Sequence, residues 1–199
     1  MEKRSINFEL RAKPESRTIF GTATVFNSSY DMGWYDEEMD SESLSKADMN
    51  DVVALFNHDM NMVLARTSSG TLKLNVTGSA MEYEFEAPNT TLGNDLLEMV
   101  KRGDIYQSSF AFTVEAEDWQ ERQGMKPKRV IRSIQKVYDV SPVTYPANPD
   151  TMVAKRSYDA TKEIDKDLLK VIDISVKSEI NIQNELRRNA LHLLNLKTK

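Results

Sequence analysis

The sequence predicts an α+β protein that is mainly β: a closed or nearly closed antiparallel β-barrel flanked by a few helices, with a long C-terminal helical tail. Three observations predict it. Short apolar runs with a period of two follow one another through most of the chain, separated by turn residues. Regular strand–helix alternation and a glycine-rich phosphate loop are missing, and there are only 7 glycines among 199 residues. Beyond residue 160 the apolar residues take helical spacing.

The N-terminal pattern predicts a β-hairpin. Residues 5–12 alternate, the KPES segment at 13–16 is a turn, and residues 17–26 resume the strand pattern. Residues 27–40 are polar and predict a long loop. Residues 41–50, which begin with a Ser-Glu pair, predict a short helix.

Four short strands and a helix follow in the middle of the chain. The strands are predicted at 51–56, 62–66, 71–76 and 80–87. A Thr-Gly turn joins the last two strands as a hairpin. Leucines, a methionine and a valine then recur at helical spacing over 91–102, and Gly103 is placed to end that helix.

Two further strands complete the predicted barrel. Residues 106–113 alternate, residues 117–128 form a charged loop, and residues 129–140 are again a strand. The proline-bounded segment 141–146 is short and extended. From residue 160 onward one long amphipathic helix, or two broken near 173–178, is predicted.

Composition divides the chain into an acidic body and a mildly basic tail. Residues 1–154 carry a net charge of −8 and residues 155–199 carry +3, which together give the whole-chain value of −5. We therefore predict a domain over 1–154 and a helical tail over 155–199. An acidic body is poorly suited to a phosphate backbone, so no nucleic-acid partner is expected.

The sequence also excludes several classes of protein. It has no cysteine, which removes disulfides, thiolate nucleophiles and thiolate metal sites. No run approaches the roughly 18 apolar residues of a membrane-spanning helix, and the N-terminus has no signal-peptide core. We expect a cytoplasmic protein without a membrane partner.

Histidines, which can act as bases near neutral pH, are few in this sequence. The body contains one histidine, His58, and the other, His192, lies among leucines of the tail. A serine hydroxyl needs a base, and a neutral imidazole can be that base. Ser109 opens an aromatic strand that would fix its direction, so Ser109 and His58 are the pair we predict to react. Ser108 is the alternative, but strand alternation turns it to the opposite face.

A third group should orient the imidazole and stabilise its cation. Asp139 lies near a strand end among apolar neighbours, where a bare carboxylate is costly without a partner. Asp59 is the alternative by position. With so few histidines, a multi-histidine zinc site is excluded. A carboxylate-only Mg²⁺ or Ca²⁺ site stays open, but the sequence has no Asp-x-Asp-x-Asp-Gly pattern, so we predict neither a metal nor another cofactor.

Five stretches in this order resemble the prohead (procapsid) maturation protease family of tailed phages, which is related in fold to herpesvirus assemblin. The stretches cover most of residues 5–154, and the family resemblance rests on their order rather than on any one of them. They are GTATVFN at 21–27, LFNHD at 55–59, LAR at 64–66 with SGTL at 69–72, GDI at 103–105 leading to SFAF at 109–112, and DVSPVTYPANP at 139–149.

The resemblance implies a serine endopeptidase. It implies that Ser109 is the nucleophile, His58 the general base and Asp139 the third member of the site. The implied partners are the major capsid protein with its scaffolding segment, and the protease itself, inside the assembling procapsid in the host cytoplasm. The tail over 155–199 would then bind scaffold or be removed by self-cleavage.

Two alternatives stay open from the sequence. One is a non-catalytic β-barrel of the procapsid that binds scaffold, and the other is a ligand-binding β-barrel without a capsid role. The distance between the Ser109 hydroxyl and the His58 ring discriminates them, because a nucleophile and its base must lie within or near hydrogen-bond reach.

Overall fold

Two β-sheets make up most of the structure. The computed structural model describes residues 1–6, 10–13, 15–145, 157–164 and 166–168. The chain divides into two compact units, Met1–Thr151 and Met152–Lys199, and the sheets belong to the first. The predicted boundary between residues 154 and 155 stays a prediction.

Eleven strands and one helix are found in the described part of the first unit. In chain order they are β1 (Glu2–Ile6), β2 (Leu10–Ala12), β3 (Thr18–Val25), β4 (Ser29–Asp31), β5 (Asp36–Met39), β6 (Val53–Leu55), β7 (Val63–Arg66), β8 (Leu72–Val76), β9 (Ala80–Glu86), α1 (Thr91–Arg102), β10 (Gln107–Gln120) and β11 (Lys128–Val143).

The longest strands, β10 and β11, form an antiparallel hairpin at the centre of the larger sheet. That sheet has seven strands in the order β1-β10-β11-β5-β4, and β6 pairs with both β11 and β7. The smaller sheet has four strands in the order β2-β3-β9-β8. One cluster of buried apolar side chains includes residues of both sheets and of α1, so the core holds the two sheets and the helix together.

The predicted closed or nearly closed barrel is wrong. Both sheets are open, since their outer strands pair on one side only. The physical reason lies in β11, which takes two short parallel partners instead of one long antiparallel partner. Residues 128–131 pair with β5, and residues 139–140 pair with β6. Alternation along a strand reports which face is buried, but it does not report which strand lies alongside.

The predicted N-terminal hairpin is present, although its first strand is divided. β2 pairs antiparallel with β3, as predicted, but β1 leaves this sheet and pairs with β10 in the larger one. The predicted loop over 27–40 contains β4 and β5, which pair antiparallel. The predicted strand ending at residue 113 continues to Gln120.

The short helix predicted over 41–50 is wrong, because this segment forms consecutive turns. Its backbone is used to pair with β11 between β5 and β6. Ile134 N donates to Ser43 O over 2.8 Å, Asp48 N donates to Gln135 O over 2.9 Å, and Val137 N donates to Asp48 O over 3.1 Å. A helix would satisfy these groups within the segment and leave the middle of β11 without partners on the edge that faces away from β10.

The helix predicted over 91–102 is confirmed with both ends. The hydroxyl of Thr90 accepts a hydrogen bond from Gly93 N, and Gly103 ends the helix with φ of 81°. A Cβ at position 93 would lie 2.0 Å from the Pro88 carbonyl oxygen, so only glycine fits there. The buried side chains Leu96, Leu97 and Val100 join the core.

The long C-terminal helical tail is also wrong for the described residues. The second unit shows helix at 157–164 and again at 166–168, which makes α1 and this segment the two short helical regions of the described chain. The remainder of the predicted tail, 169–199, lies outside the described residues. Long helices depend on tertiary packing of their apolar stripe, and the stripe alone does not guarantee one.

Five charged side chains form an ion cluster within the larger sheet. Arg4 of β1 binds Glu37 of β5 with two hydrogen bonds, one of them 2.8 Å long. Arg129 of β11 binds Glu2 of β1 over 2.7 and 2.9 Å and also contacts Glu37 and Glu117. Arg129 is 1% exposed and Arg4 is 3% exposed. The cluster therefore ties the edge strand β1 to strands further into the sheet.

Glu37→Gln will destabilise the protein by about 3 kcal/mol, because removing one partner leaves buried guanidinium charge uncompensated. Glu38→Gln is the matched control. Glu38 is the next residue on β5, and its ion pair with Lys128 is about one-fifth exposed, so its loss should cost less than about 1 kcal/mol. Urea denaturation at neutral pH measures both, and equal losses would contradict a special role for the buried cluster.

The ion cluster also makes the free energy of unfolding depend on pH. Burial alone would raise the pKa of Glu2, but the hydrogen bond from Arg129 and the charges of Arg4 and Arg129 outweigh it and lower that pKa below 4.5. The stability contributed by Glu2 is therefore complete above about pH 4.5 and is lost as the pH falls through the lowered native value. Glu2→Gln should lose stability at neutral pH and respond less to acid. Unfolding curves that stay parallel to the wild type down to about pH 3 would contradict this.

Candidate active site

A strained turn between β6 and β7 presents His58. Asp59 N donates to Phe56 O over 3.0 Å, and the two residues between them, Asn57 and His58, have φ of 55° and 57°. Positive φ at both central residues is typical of a type I′ turn, in which asparagine suits the first position and glycine the second. A histidine in the glycine position costs free energy, which interactions with the surrounding structure must offset.

Asn57 holds this turn against the end of β11. Its backbone N–H donates to Pro142 O over 3.0 Å. Its side-chain Oδ1 accepts from Thr144 N over 2.9 Å, and its Nδ2 donates to Thr144 Oγ1 over 3.2 Å. These three hydrogen bonds fix the position of His58 relative to the strand that carries Asp139.

The antiparallel register of β10 and β11 aligns the other polar side chains. Ser109 lies opposite Ser141, and Ala111 lies opposite Asp139. Because side chains alternate along a strand, Ser109, Ser141 and Asp139 share one face of the sheet. Ser108 takes the other face, where its hydroxyl is 2.8 Å from the hydroxyl of the buried Tyr83.

A continuous hydrogen-bonded chain joins three residues. Ser109 Oγ is 2.6 Å from His58 Nε2, and His58 Nδ1 is 2.6 Å from Asp139 Oδ1. The side chains of His58 and Asp139 are 5% and 7% exposed. A carboxylate only accepts hydrogen bonds, so this contact suits the tautomer with the proton on Nδ1, in which Nε2 can accept the serine proton. The arrangement is suited to activating a serine hydroxyl as a nucleophile.

The Ser109 hydroxyl has a second acceptor. Its Oγ lies 2.8 Å from the backbone carbonyl oxygen of Arg4 on β1. A hydroxyl has one proton, so at any moment it can donate to the carbonyl of Arg4 or to His58, but not fully to both. Ser109 is 0% exposed, so an external carbonyl carbon reaches Oγ only after neighbouring groups move.

The structure distinguishes the predicted site residues from their alternatives. It brings Ser109, His58 and Asp139 together, whereas Ser108 contacts Tyr83 instead of His58. The alternative acid, Asp59, accepts from the backbone and side-chain nitrogens of its neighbour Asn61 over 2.8 and 3.0 Å.

Three groups that contact the site residues were not predicted from the sequence. They are Ser141, Asn57 and the carbonyl of Arg4. The sequence contained one sign of Ser141: it lies two residues after Asp139, and side chains two residues apart on a strand share one face. The type I′ preference of asparagine was the signal for Asn57. A backbone carbonyl leaves no sequence signal, and His192 lies outside the described residues.

Within the described ranges, no group of histidine and acidic side chains is arranged to hold a metal ion. No helix in the described part of the chain is long and apolar enough to cross a membrane.

Comparison with protein families gives one match. A family model for the caudovirus prohead serine protease matches residues 6–164, which is about four-fifths of the chain. The matched range contains all three residues of the hydrogen-bonded chain. No curated protein and no solved structure matches significantly.

Proposed function

Because the chain belongs to the caudovirus prohead serine protease family, we propose that it is an endopeptidase that cleaves the scaffolding segment of the major capsid protein and its own chain. The family makes it a serine protease of phage capsid maturation. The substrates and the roles of individual residues are our proposal. Ser109 is the nucleophile, His58 the general base and Asp139 the third member.

One observation carries this proposal. Three polar side chains from separate elements, a tight turn and two strands, meet in a nearly buried chain of two 2.6 Å hydrogen bonds. In a sheet core such polar groups are costly unless they pair, and here they pair in the order that nucleophilic catalysis requires. The distance that distinguishes this proposal from the two non-catalytic alternatives is the one between Ser109 Oγ and His58 Nε2, and its value of 2.6 Å supports the enzyme.

The chemistry follows from the geometry. His58 Nε2 accepts the proton of Ser109 as Oγ bonds to the carbonyl carbon of the substrate. Asp139 stabilises the resulting imidazolium through Nδ1–H. His58 then gives the proton to the leaving amine, the C–N bond breaks, and an acyl-enzyme forms. Water attacks the ester with His58 again as base, releasing the acid and restoring the Ser109 hydroxyl.

The proposed setting is the interior of the assembling procapsid, where the protease meets the scaffolding segment. The segment 155–199 is proposed either to bind scaffold or to be removed by the protease itself. Its net charge of +3, against −8 for residues 1–154, suits it to contact acidic surfaces. The likeness to herpesvirus assemblin stays a prediction.

Ser109→Ala will lower turnover on capsid protein with its scaffolding segment by a factor on the order of 10⁶. Ser108→Ala is the matched control, since it removes a neighbouring buried hydroxyl from the opposite face of β10. It should lose stability and keep cleavage. Gel electrophoresis measures cleavage of the capsid protein. Mass spectrometry of the intact protease in the same incubation measures removal of the segment 155–199. An active Ser109→Ala variant would refute the assignment, and an intact tail in active wild type would refute self-removal.

Asp139→Asn will lower kcat by a factor on the order of 10⁴, because an amide favours the wrong imidazole tautomer. Asp59→Asn is its control, as it makes the same change in the turn of His58, where the carboxylate of Asp59 accepts hydrogen bonds from Asn61. It should stay within a few-fold of the wild type. A larger loss for Asp59→Asn than for Asp139→Asn would exchange the two roles.

A further inference from the structure

Ser141 lies next to Asp139 and His58 in the candidate site and has no role in the proposed chemistry. Ser141 is 0% exposed, lies opposite Ser109 in the β10–β11 register, and is two residues from Asp139 on the same face of β11. Its Oγ donates to Asp139 Oδ1 over 2.7 Å and is 3.3 Å from His58 Nδ1. Ser141 therefore contacts both members of the pair that would activate Ser109.

We propose that Ser141 is a positioning residue that fixes the Asp139 carboxylate and, through it, the tautomer and orientation of the His58 ring. This inference rests on the proposed function for its catalytic consequence. Its structural content, the control of the His58–Asp139 hydrogen bond, does not depend on the reaction.

The hydrogen-bond geometry explains why the hydroxyl is needed. Asp139 Oδ1 accepts from both His58 Nδ1 and Ser141 Oγ. Rotation about the Cβ–Cγ bond of an aspartate is soft, so one hydrogen bond from a histidine on a turn constrains the carboxylate plane weakly. A second donor, on the same strand as the carboxylate, fixes that plane independently of His58.

The same hydroxyl cannot serve as an alternative nucleophile in this arrangement. Its single proton is directed to Asp139, the shorter of its two contacts, and its oxygen lies on the Nδ1 side of the imidazole. The free Nε2 is on the Ser109 side. Ser141 therefore acts on the reaction only through Asp139 and His58.

The test uses a pair of variants of equal shape. Ser141→Thr and Ser141→Val add the same bulk to a buried site, but only threonine keeps the hydroxyl. Ser141→Val and Ser141→Ala should lower kcat by about tenfold to a hundredfold, the scale of a hydrogen bond to a charged group. KM should stay unchanged, and Ser141→Thr should recover most of the rate. Ser108→Ala controls for loss of a buried hydroxyl on the same hairpin.

A spectroscopic measurement tests the positioning directly. His58 and His192 are the only histidines, so ¹⁵N-histidine labelling of a His192→Gln background leaves one ring to observe. The Nδ1–H proton of His58 should give a downfield resonance in that background and with Ser141→Thr. It should shift upfield or broaden by exchange with Ser141→Val and Ser141→Ala, and stay in place with Ser108→Ala.

The outcomes separate this inference from the proposed function. If the wild type cleaves and all Ser141 variants match it, the positioning role is refuted. Equal loss with threonine and valine, with an unmoved Nδ1–H resonance, also refutes it, because packing alone would explain the loss. If the wild type itself does not cleave, the proposed function fails, and the resonance alone decides whether Ser141 controls the His58–Asp139 pair.

Discussion

The pairing of β11 with its neighbours sets the distances between Ser109, His58 and Asp139. Asp139 and Ser141 lie on β11 itself, and Ser109 is held opposite them by the register of β10. His58 is fixed to the same strand at two points. β6, which leads into its turn, pairs with residues 139–140, and Asn57 binds the end of the strand. A slip of one residue between β10 and β11 would turn Ser109 to the opposite face and separate it from His58.

Burial of charge is the second constraint, and it connects stability to the site. The ion cluster holds β1 in the larger sheet through Glu2 and Arg4. The carbonyl of Arg4 then lies against Ser109. A buried ion cluster gains little over apolar packing, but it tolerates few changes of geometry, since each charge needs its partner. The strand beside the candidate nucleophile is thus placed by an interaction that is specific in register.

Local signals allowed prediction of α1 and of which polar side chains meet, but not of the sheet partners. The ends of α1 were predictable because Thr90 and Gly103 are local signals next to a leucine-rich helical face. His58 was expected in the site because it is the one histidine among residues 1–154, whereas Ser109 and Asp139 were chosen among many serines and carboxylates by strand position and family resemblance. The transfer of β1 to the other sheet and the parallel pairing of β5 depend on contacts with β10 and β11, which alternation does not encode. The barrel was wrong for that reason.

The turn that carries His58 departs from the residue preferences of its turn type. Turn preferences favour glycine at position 58, and an imidazole there accepts a left-handed backbone that costs roughly 1–2 kcal/mol. The three hydrogen bonds of Asn57 and the bond from His58 to Asp139 offset that cost only when β11 is in place. The imidazole is therefore preorganised by the folded sheet rather than by its own loop. In a preorganised site the ring of the proposed base needs no reorientation to take a proton from Ser109, and the strain is the structural consequence of placing that ring on a two-residue turn.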